Sequence, residues 1–393
     1  MSGIKKTKFF RIFAILILSV LMTNCKQLTS STSDKASKEP PAIKDQPIDV
    51  NPPVVVIPPA VTINNPRSSA KIYWVGHSLV SATDQRSVGS RNLPDSLNVM
   101  ANETGNTYDE HIHTVPGAPI GWNWGNPDAA WNGGVNTLIR PLVDSTHAEY
   151  GSFDTIVVTE GVAIEPVSQY WTSGFYLRRF MCAALAANPN TELFFYQSWG
   201  HLQRTDPEFA AIYNTISPWN FVTYQNSSRS AWETILNEAS DPALTPTVNN
   251  YNSWRLPGAD PGTCNGQLNI KLIPTGAALV ALIERLAENR AGDDWSYSQA
   301  AVGVTMTAID LFANPYIDYP ANTATVYGGP VDDIHPSHLL VYLNSLVHYA
   351  TIYRRSPTEL SASNNTPAGI ASIMQEVAWE VVTSDPLTGV TTQ

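Results

Sequence analysis

Asp154-Thr155-Ile156-Val157-Val158-Thr159 is a β-branched run of the kind that forms a strand buried on both faces. A strand covered on both sides belongs to a parallel sheet with helices packed above and below it. The sequence on either side keeps that rhythm. Upstream, Lys71–Val75 reads as a short apolar strand. Leu93–Gly105 reads as a helix with Leu97, Met100 and Ala101 on one face and Gly105 as its stop. Tyr108–Val115 follows as a second strand. Downstream, Ser173–Ala187 reads as a helix, Thr191–Gln197 as a strand, Ser228–Ala239 as a helix and Leu268–Ile273 as a strand. Thr275–Asn289 is an amphipathic helix, and Pro336–Tyr353 and Pro367–Val382 close the chain as helices. Val135–Val143 also reads as helical. Pro116–Gly134, rich in glycine and tryptophan, reads as a loop, and Asp241–Gly266 as an excursion from the core. Strands alternating with helices place active residues beyond the carboxyl ends of the strands.

The chain has 393 residues, 43% of them hydrophobic, which is enough for a sizeable core. A formal charge of -11 argues against a nucleic-acid partner. Three cysteines do not make a disulfide framework. At the amino end, Lys5, Lys6, Lys8 and Arg11 precede an apolar run from Ile12 to Met22, too short for a stable membrane-spanning helix. The run ends Leu21-Met22-Thr23-Asn24-Cys25. It resembles a bacterial lipoprotein signal with Cys25 as the lipidated residue, although Asn24 stands where a small residue is usual. Ordinary cleaved secretion is the other reading. Residues 26–68 are rich in Ser, Thr and then Pro, a composition that stays extended and suits a tether; Val54–Ile57 is the one run in it that suits an edge strand. The expected organisation is a signal peptide over 1–25, a tether over 26–68 and one domain over 69–393. The membrane is then met through a lipid anchor alone.

Two stretches carry chemistry. Lys71–Val75 runs into Gly76-His77-Ser78, and a serine presented at a strand end after a small residue suits a nucleophile. Far downstream stands Val331-Asp332-Asp333-Ile334-His335-Pro336-Ser337-His338. An acid and a histidine this close can pair within one loop, the carboxylate fixing the ring's tautomer. The three-residue spacing favours Asp332 over Asp333 as the acid, and His335 over His338 as the base. His338 reads as a helix-face residue after Pro336.

Gly76-His77-Ser78-Leu79 near the domain start and Asp332-x-x-His335 near its end, with the α/β rhythm between them, resemble the SGNH, or GDSL-like, esterase family. The resemblance spans Lys71 to Arg355. It implies a three-layer α/β/α sandwich with a mostly parallel central sheet, of SGNH or flavodoxin-like type. It also implies a triad of Ser78, His335 and Asp332. In the family's second block a glycine N–H helps to bind the oxyanion, and Gly117 in Pro116-Gly117-Ala118-Pro119 fits that place. The third block usually supplies an asparagine. Here the strand runs instead into Thr159-Glu160-Gly161, and an ionised carboxylate accepts hydrogen bonds without donating them. Three substitutes are open: the Gly161 or Val162 backbone N–H, Asn123 from the loop, or a protonated Glu160.

His77 either lines the site or points away from it. His111 and His113 share one strand face at period two, which reads as a half-exposed face rather than a metal site. Trp122, Trp124 and Trp131 either stack on sugar rings at the active edge or pack loop bases, and Trp199 reads as buried. Cys182 and Cys264 are candidates for a disulfide in an oxidising compartment. The leading expectation is an extracytoplasmic serine ester hydrolase of the cell envelope, with no cofactor, acting on a small-molecule or polysaccharide ester. A lipase or thioesterase, and a catalytically weak or inactive surface lipoprotein acting as a binding module, are the alternatives. An α/β-hydrolase fits less well, since Val80 occupies the second glycine of G-x-S-x-G.

Overall fold

The computed structural model describes residues 66–83, 91–125, 153–162, 164, 167–168, 172–201, 218–246, 264–288, 296–299, 304–307, 311–314, 332–362 and 366–391. All described residues belong to one compact unit, Ile57–Gln393. The expected signal peptide, Cys25, the Val54–Ile57 strand, the Val135–Val143 helix and Trp131 lie outside the described residues.

Five strands form the central sheet: β1 (Ser69–Gly76), β2 (Thr107–Thr114), β3 (Thr155–Thr159), β4 (Glu192–Tyr196) and β5 (Ile270–Ile273). Their order is β2-β1-β3-β4-β5 and every pairing is parallel. This is the doubly wound arrangement. The chain leaves β1 for β2 on one side and returns to β3 on the other, so a crevice opens beyond the carboxyl ends of β1 and β3.

Side chains alternate strictly between the two faces, as the pleat requires. Ile72, Trp74, Val157, Phe194, Tyr196 and Ile273 enter one core. Tyr73, Val75, Ile156, Val158, Leu193, Phe195 and Leu272 enter the other. Both faces are therefore covered, which completes the three layers. The first core also takes α2 (Leu93–Glu103), α6 (Thr275–Glu288), α7 (His338–Tyr353) and α8 (Ala368–Ser384). The second takes α3 (Ile120–Gly125) and α4 (Ser173–Ala187). Helix α5 (Pro218–Ser240) serves both, with Phe221 and Val222 in one core and Trp232, Ile235, Leu236 and Ala239 in the other. Helix α7 is mostly apolar and is buried on nearly every side, its buried Ser345 and Thr351 hydroxyls donating to the carbonyls one turn back.

Local signals set the boundaries. Asn92 caps α2 by accepting from Asp95 N at 2.8 Å, and Gly105 follows the helix at φ +70. Cys182 on α4 forms a disulfide with Cys264, with Cα atoms 5.4 Å apart. Beside it, the buried Arg178 guanidinium donates to the carbonyls of Ala239, Ser240, Cys264 and Gly266. The start of the segment that leads into β5 is thus fixed to α4 and to the end of α5.

Beyond the main sheet lie two antiparallel ribbons, β6 (Ser296–Gln299) with β7 (Val304–Thr307), and β8 (Phe312–Asn314) with β9 (Asp332–Pro336). Three expectations change here. Asp332 and His335 stand on a strand, not in a loop. Residues 120–125 of the supposed glycine–tryptophan loop are helical. His111 and His113 are buried, not half-exposed, and the His111 ring stacks on Tyr73.

Candidate active site

Gly76 ends β1. A Cβ there would come within 2.6 Å of Thr159 Cγ2 and 3.1 Å of Val80 Cγ2, so glycine alone lets the chain pass β3 and turn. His77 is extended and caps α1 (Ser78–Ser81), with Nδ1 accepting from Leu79 N at 3.4 Å. Ser78 therefore opens a helix, half-buried, at the carboxyl edge of the sheet.

His335 reaches that serine from 257 positions away. Its Nε2 lies 2.7 Å from Ser78 Oγ. With the ring proton on Nδ1, the hydroxyl donates to Nε2, the polarity a general base needs. Ser78 and His335 are both half-buried, so the pair is open to a ligand. Asp332 stands three residues before His335 on β9; its side chain lies outside what the structure describes. His338 opens α7, after Ser337, whose side chain accepts from Leu339 N at 3.2 Å.

Glu160 follows β3 and is fully buried. Its Oε1 accepts from Ile120 N at 2.9 Å and from Gly161 N at 2.6 Å. Its Oε2 and the nearby Ser173 Oγ are both buried without a hydrogen bond of acceptable geometry, although the hydroxyl is near enough to favour the carboxylate. Burial raises the carboxyl to about 7, against the opposing pull of Ser173 and of the Gly161 and Ile120 N–H groups. Glu160 thus ties the first residue of α3 to the end of β3. With its side chain fully enclosed, it is not placed to donate to an oxyanion, and the Gly161 N–H is already engaged.

The backbone carbonyl of Glu160 makes the next link. His77 Nε2 lies 2.8 Å from it, and a carbonyl can only accept, so Nε2 carries the ring proton. Burial lowers His77 to about 4, opposed by this bond and assisted by the nearby His335. His77 is therefore a neutral prop at physiological pH, turned away from the nucleophile. Asn123 is also fully buried, and its Nδ2 donates to Gly76 O at 3.0 Å. The same carbonyl accepts from Val115 N at 3.1 Å. Asn123 supports the end of β1 rather than facing a ligand.

Gly117 occupies φ +69 in a turn closed by Ala118 N donating to Val115 O at 3.0 Å, and a Cβ there would meet nothing within 4 Å. Glycine is required by the backbone, not by space. Trp124 is buried with its ring edge-on to Phe180, centroids 5.0 Å apart, whereas Trp122 is half-buried on α3.

A further contact reaches the strand that carries the base. Trp199, just past β4 and fully buried, donates through Nε1 to the carbonyl of Ile334 at 2.8 Å. A tryptophan immediately after a strand end was the only available signal.

The fold and site define a doubly wound α/β protein with a serine–histidine pair at its switch point. No family model matches the chain, and no curated protein does. Among solved structures, a DUF4886 family protein from Bacteroides uniformis superposes with a TM-score of 0.44 at 13% identity, over 80% of this chain and 95% of that one. A carbohydrate esterase family 2 enzyme with a carbohydrate-binding domain, from Corynascus thermopiles (Myceliophthora fergusii), gives 0.32 at 14% identity, over 74% and 67%. A protein described as a possible lipase from Chitinophaga pinensis gives 0.30 at 14% identity, over 72% and 97%. At these distances the likenesses carry nothing about the chemistry of the site.

Proposed function

We propose that this chain is an extracytoplasmic serine ester hydrolase of the SGNH type, acting on a carbohydrate ester or another surface ester. The observation that carries the proposal is the 2.7 Å contact between His335 Nε2 and Ser78 Oγ. Ser78 Oγ attacks the ester carbonyl while His335 takes its proton. His335 then gives that proton to the departing alkoxide, leaving an acyl-serine. Water, deprotonated by the same histidine, releases the acid and restores the serine. The backbone N–H groups of Ser78 and Gly117 serve the oxyanion. The Ser78 N–H opens α1 and so lacks a partner within that helix. Asp332 orients His335.

The Cys182–Cys264 disulfide supports a location outside the cytoplasm, where such bonds persist. The lipoprotein-type signal ending at Cys25 supports a cell-envelope anchor. The half-buried Trp122 supports a sugar-bearing substrate, since an accessible indole can lie against a sugar ring.

A panel of short- and long-chain aryl esters and acetylated sugars, run on the purified protein beside Ser78→Ala, tests the proposal. Hydrolysis that disappears in Ser78→Ala is expected. Turnover of no ester, or equal turnover by both proteins, would overturn it and favour the binding-module reading.

A further inference from the structure

The base sits on a slender support. β9 belongs to a two-stranded ribbon whose other strand has three residues, and isolated two-stranded ribbons are marginally stable. Leu311 and Phe312 enter the first core and Ile334 packs against it, and Trp199 ties the backbone of β9 to the turn after β4, its indole N–H donating to the carbonyl of Ile334, the residue before His335. Trp199 is itself held firmly. Its turn continues β4, with Gln197 N donating to Ile273 O and Gly276 N to Gln197 O, both at 3.0 Å. Gln225, buried on α5, clasps the turn from the other side. Its Nε2 donates to Ser198 O at 3.1 Å and its Oε1 accepts from Gly200 N at 3.2 Å. A Cβ on Gly276 would collide with both Gln225 Nε2 and the Ser198 carbonyl, so this close approach is built in. Helix α5 also meets the ribbon directly, Phe221 lying edge-on to Phe312 with centroids 5.8 Å apart.

We infer that Trp199, braced by Gln225, is a positioning residue that sets His335 over Ser78. The inference rests on the proposed hydrolase chemistry for its kinetic consequence, but not for its structural one. Neither residue touches substrate in this account. Their bonds fix the Ile334 carbonyl, and hence the backbone from which the imidazole projects. Misplacing a reacting group by about 1 Å can cost on the order of 100-fold in rate.

The test compares wild type, Trp199→Phe and Gln225→Met. Phenylalanine fills most of the indole volume without the N–H, and methionine fills the space of glutamine without its polar atoms. Three readouts are compared, with KM as a control: kcat on one aryl acetate, the rate of fluorophosphonate labelling, and the His335 ring signals in protein carrying 13C-histidine. Trp199→Phe is expected to lower kcat and labelling rate about 10- to 100-fold with KM nearly constant, and to shift or broaden the His335 signals. Gln225→Met is expected to move all three the same way by less. A folded Trp199→Phe with wild-type kcat and wild-type His335 signals overturns the inference. Where Trp199→Phe does not fold, Gln225→Met decides on the same readouts. Should wild type neither hydrolyse nor label, the catalytic reading fails by itself. The His335 signals then decide the positioning role: a change in the variants supports it, and constancy overturns it.

Discussion

His77 donates through Nε2 to the Glu160 carbonyl at 2.8 Å, and this bond joins the carboxyl ends of β1 and β3 at the residue before Ser78. The ring also caps α1 through Nδ1. Replacing His77 by alanine removes a buried hydrogen bond and a cap together. A loss of about 2 kcal/mol is expected in urea unfolding, with a fall in turnover as the serine turn loosens. Unchanged stability would show that the bond is not made in solution.

Glu160 gives a prediction with a definite sign. Its folded value of about 7 lies above the ordinary 4.5. Below 4.5 both folded and unfolded chains hold the proton, and stability is unaffected. Between 4.5 and about 7 the unfolded chain has released it and the folded chain has not, so this group's contribution falls as pH rises. The full interval corresponds to roughly 3 kcal/mol. His77, His111 and His348 are lowered by burial to about 4, 4 and 3 and act with the opposite sign. The difference between wild type and Glu160→Gln cancels their part. That difference should move against wild type from pH 4.5 to 7.5. Glutamine can still accept from Ile120 and Gly161, so turnover should survive in Glu160→Gln and fall at least tenfold in Glu160→Ala. A pH-independent stability difference would contradict the buried, proton-holding carboxyl.

The parallel sheet and its helices were legible because their signals are local. Thr155–Thr159 is β-branched throughout, and residues 173–187 keep a helical pattern, and both appear where expected. The β8–β9 ribbon was not legible. Asp332-Asp333-Ile334-His335-Pro336 has two acids, a proline and no alternation; it is a strand because Phe312–Asn314 pairs with it. Helix α3 carries two glycines and follows Pro119, so its composition speaks for a loop. It forms where Glu160 takes its first N–H. Helix α5 begins ten residues before the expected Ser228, because Phe221, Tyr224, Gln225 and Ser228 are buried at helical spacing among polar neighbours. The serine–histidine pair was legible from motif order. A protonated Glu160 was among the open readings, but its tie to the first N–H of α3 was not legible, since that helix was itself read as a loop.

The acid of the triad is open to a direct comparison. Asp332→Asn should lower kcat by as much as about 10,000-fold, the scale set by the equivalent change in a serine protease, and leave KM little altered. Asp333→Asn should stay within about tenfold of wild type. The reverse order would move the acid role to Asp333.

The bridged Cys182 and Cys264 lie 82 positions apart in the sequence. Removing such a bridge typically costs about 2–4 kcal/mol. Peptide mapping after alkylation without reductant should find both cysteines unmodified by the reagent, and reduction should lower the unfolding midpoint. Alkylation of both in the unreduced, unfolded protein would exclude the bridge.

The proposed chemistry makes Ser78 a nucleophile activated by His335. The most direct measurement is the position and extent of the fluorophosphonate adduct, mapped by mass spectrometry in wild type, His335→Ala and His338→Ala. One adduct on Ser78 is expected, lost in folded His335→Ala and retained in His338→Ala. An adduct on another residue, or equal labelling of Ser78 when His335 is absent, would contradict it.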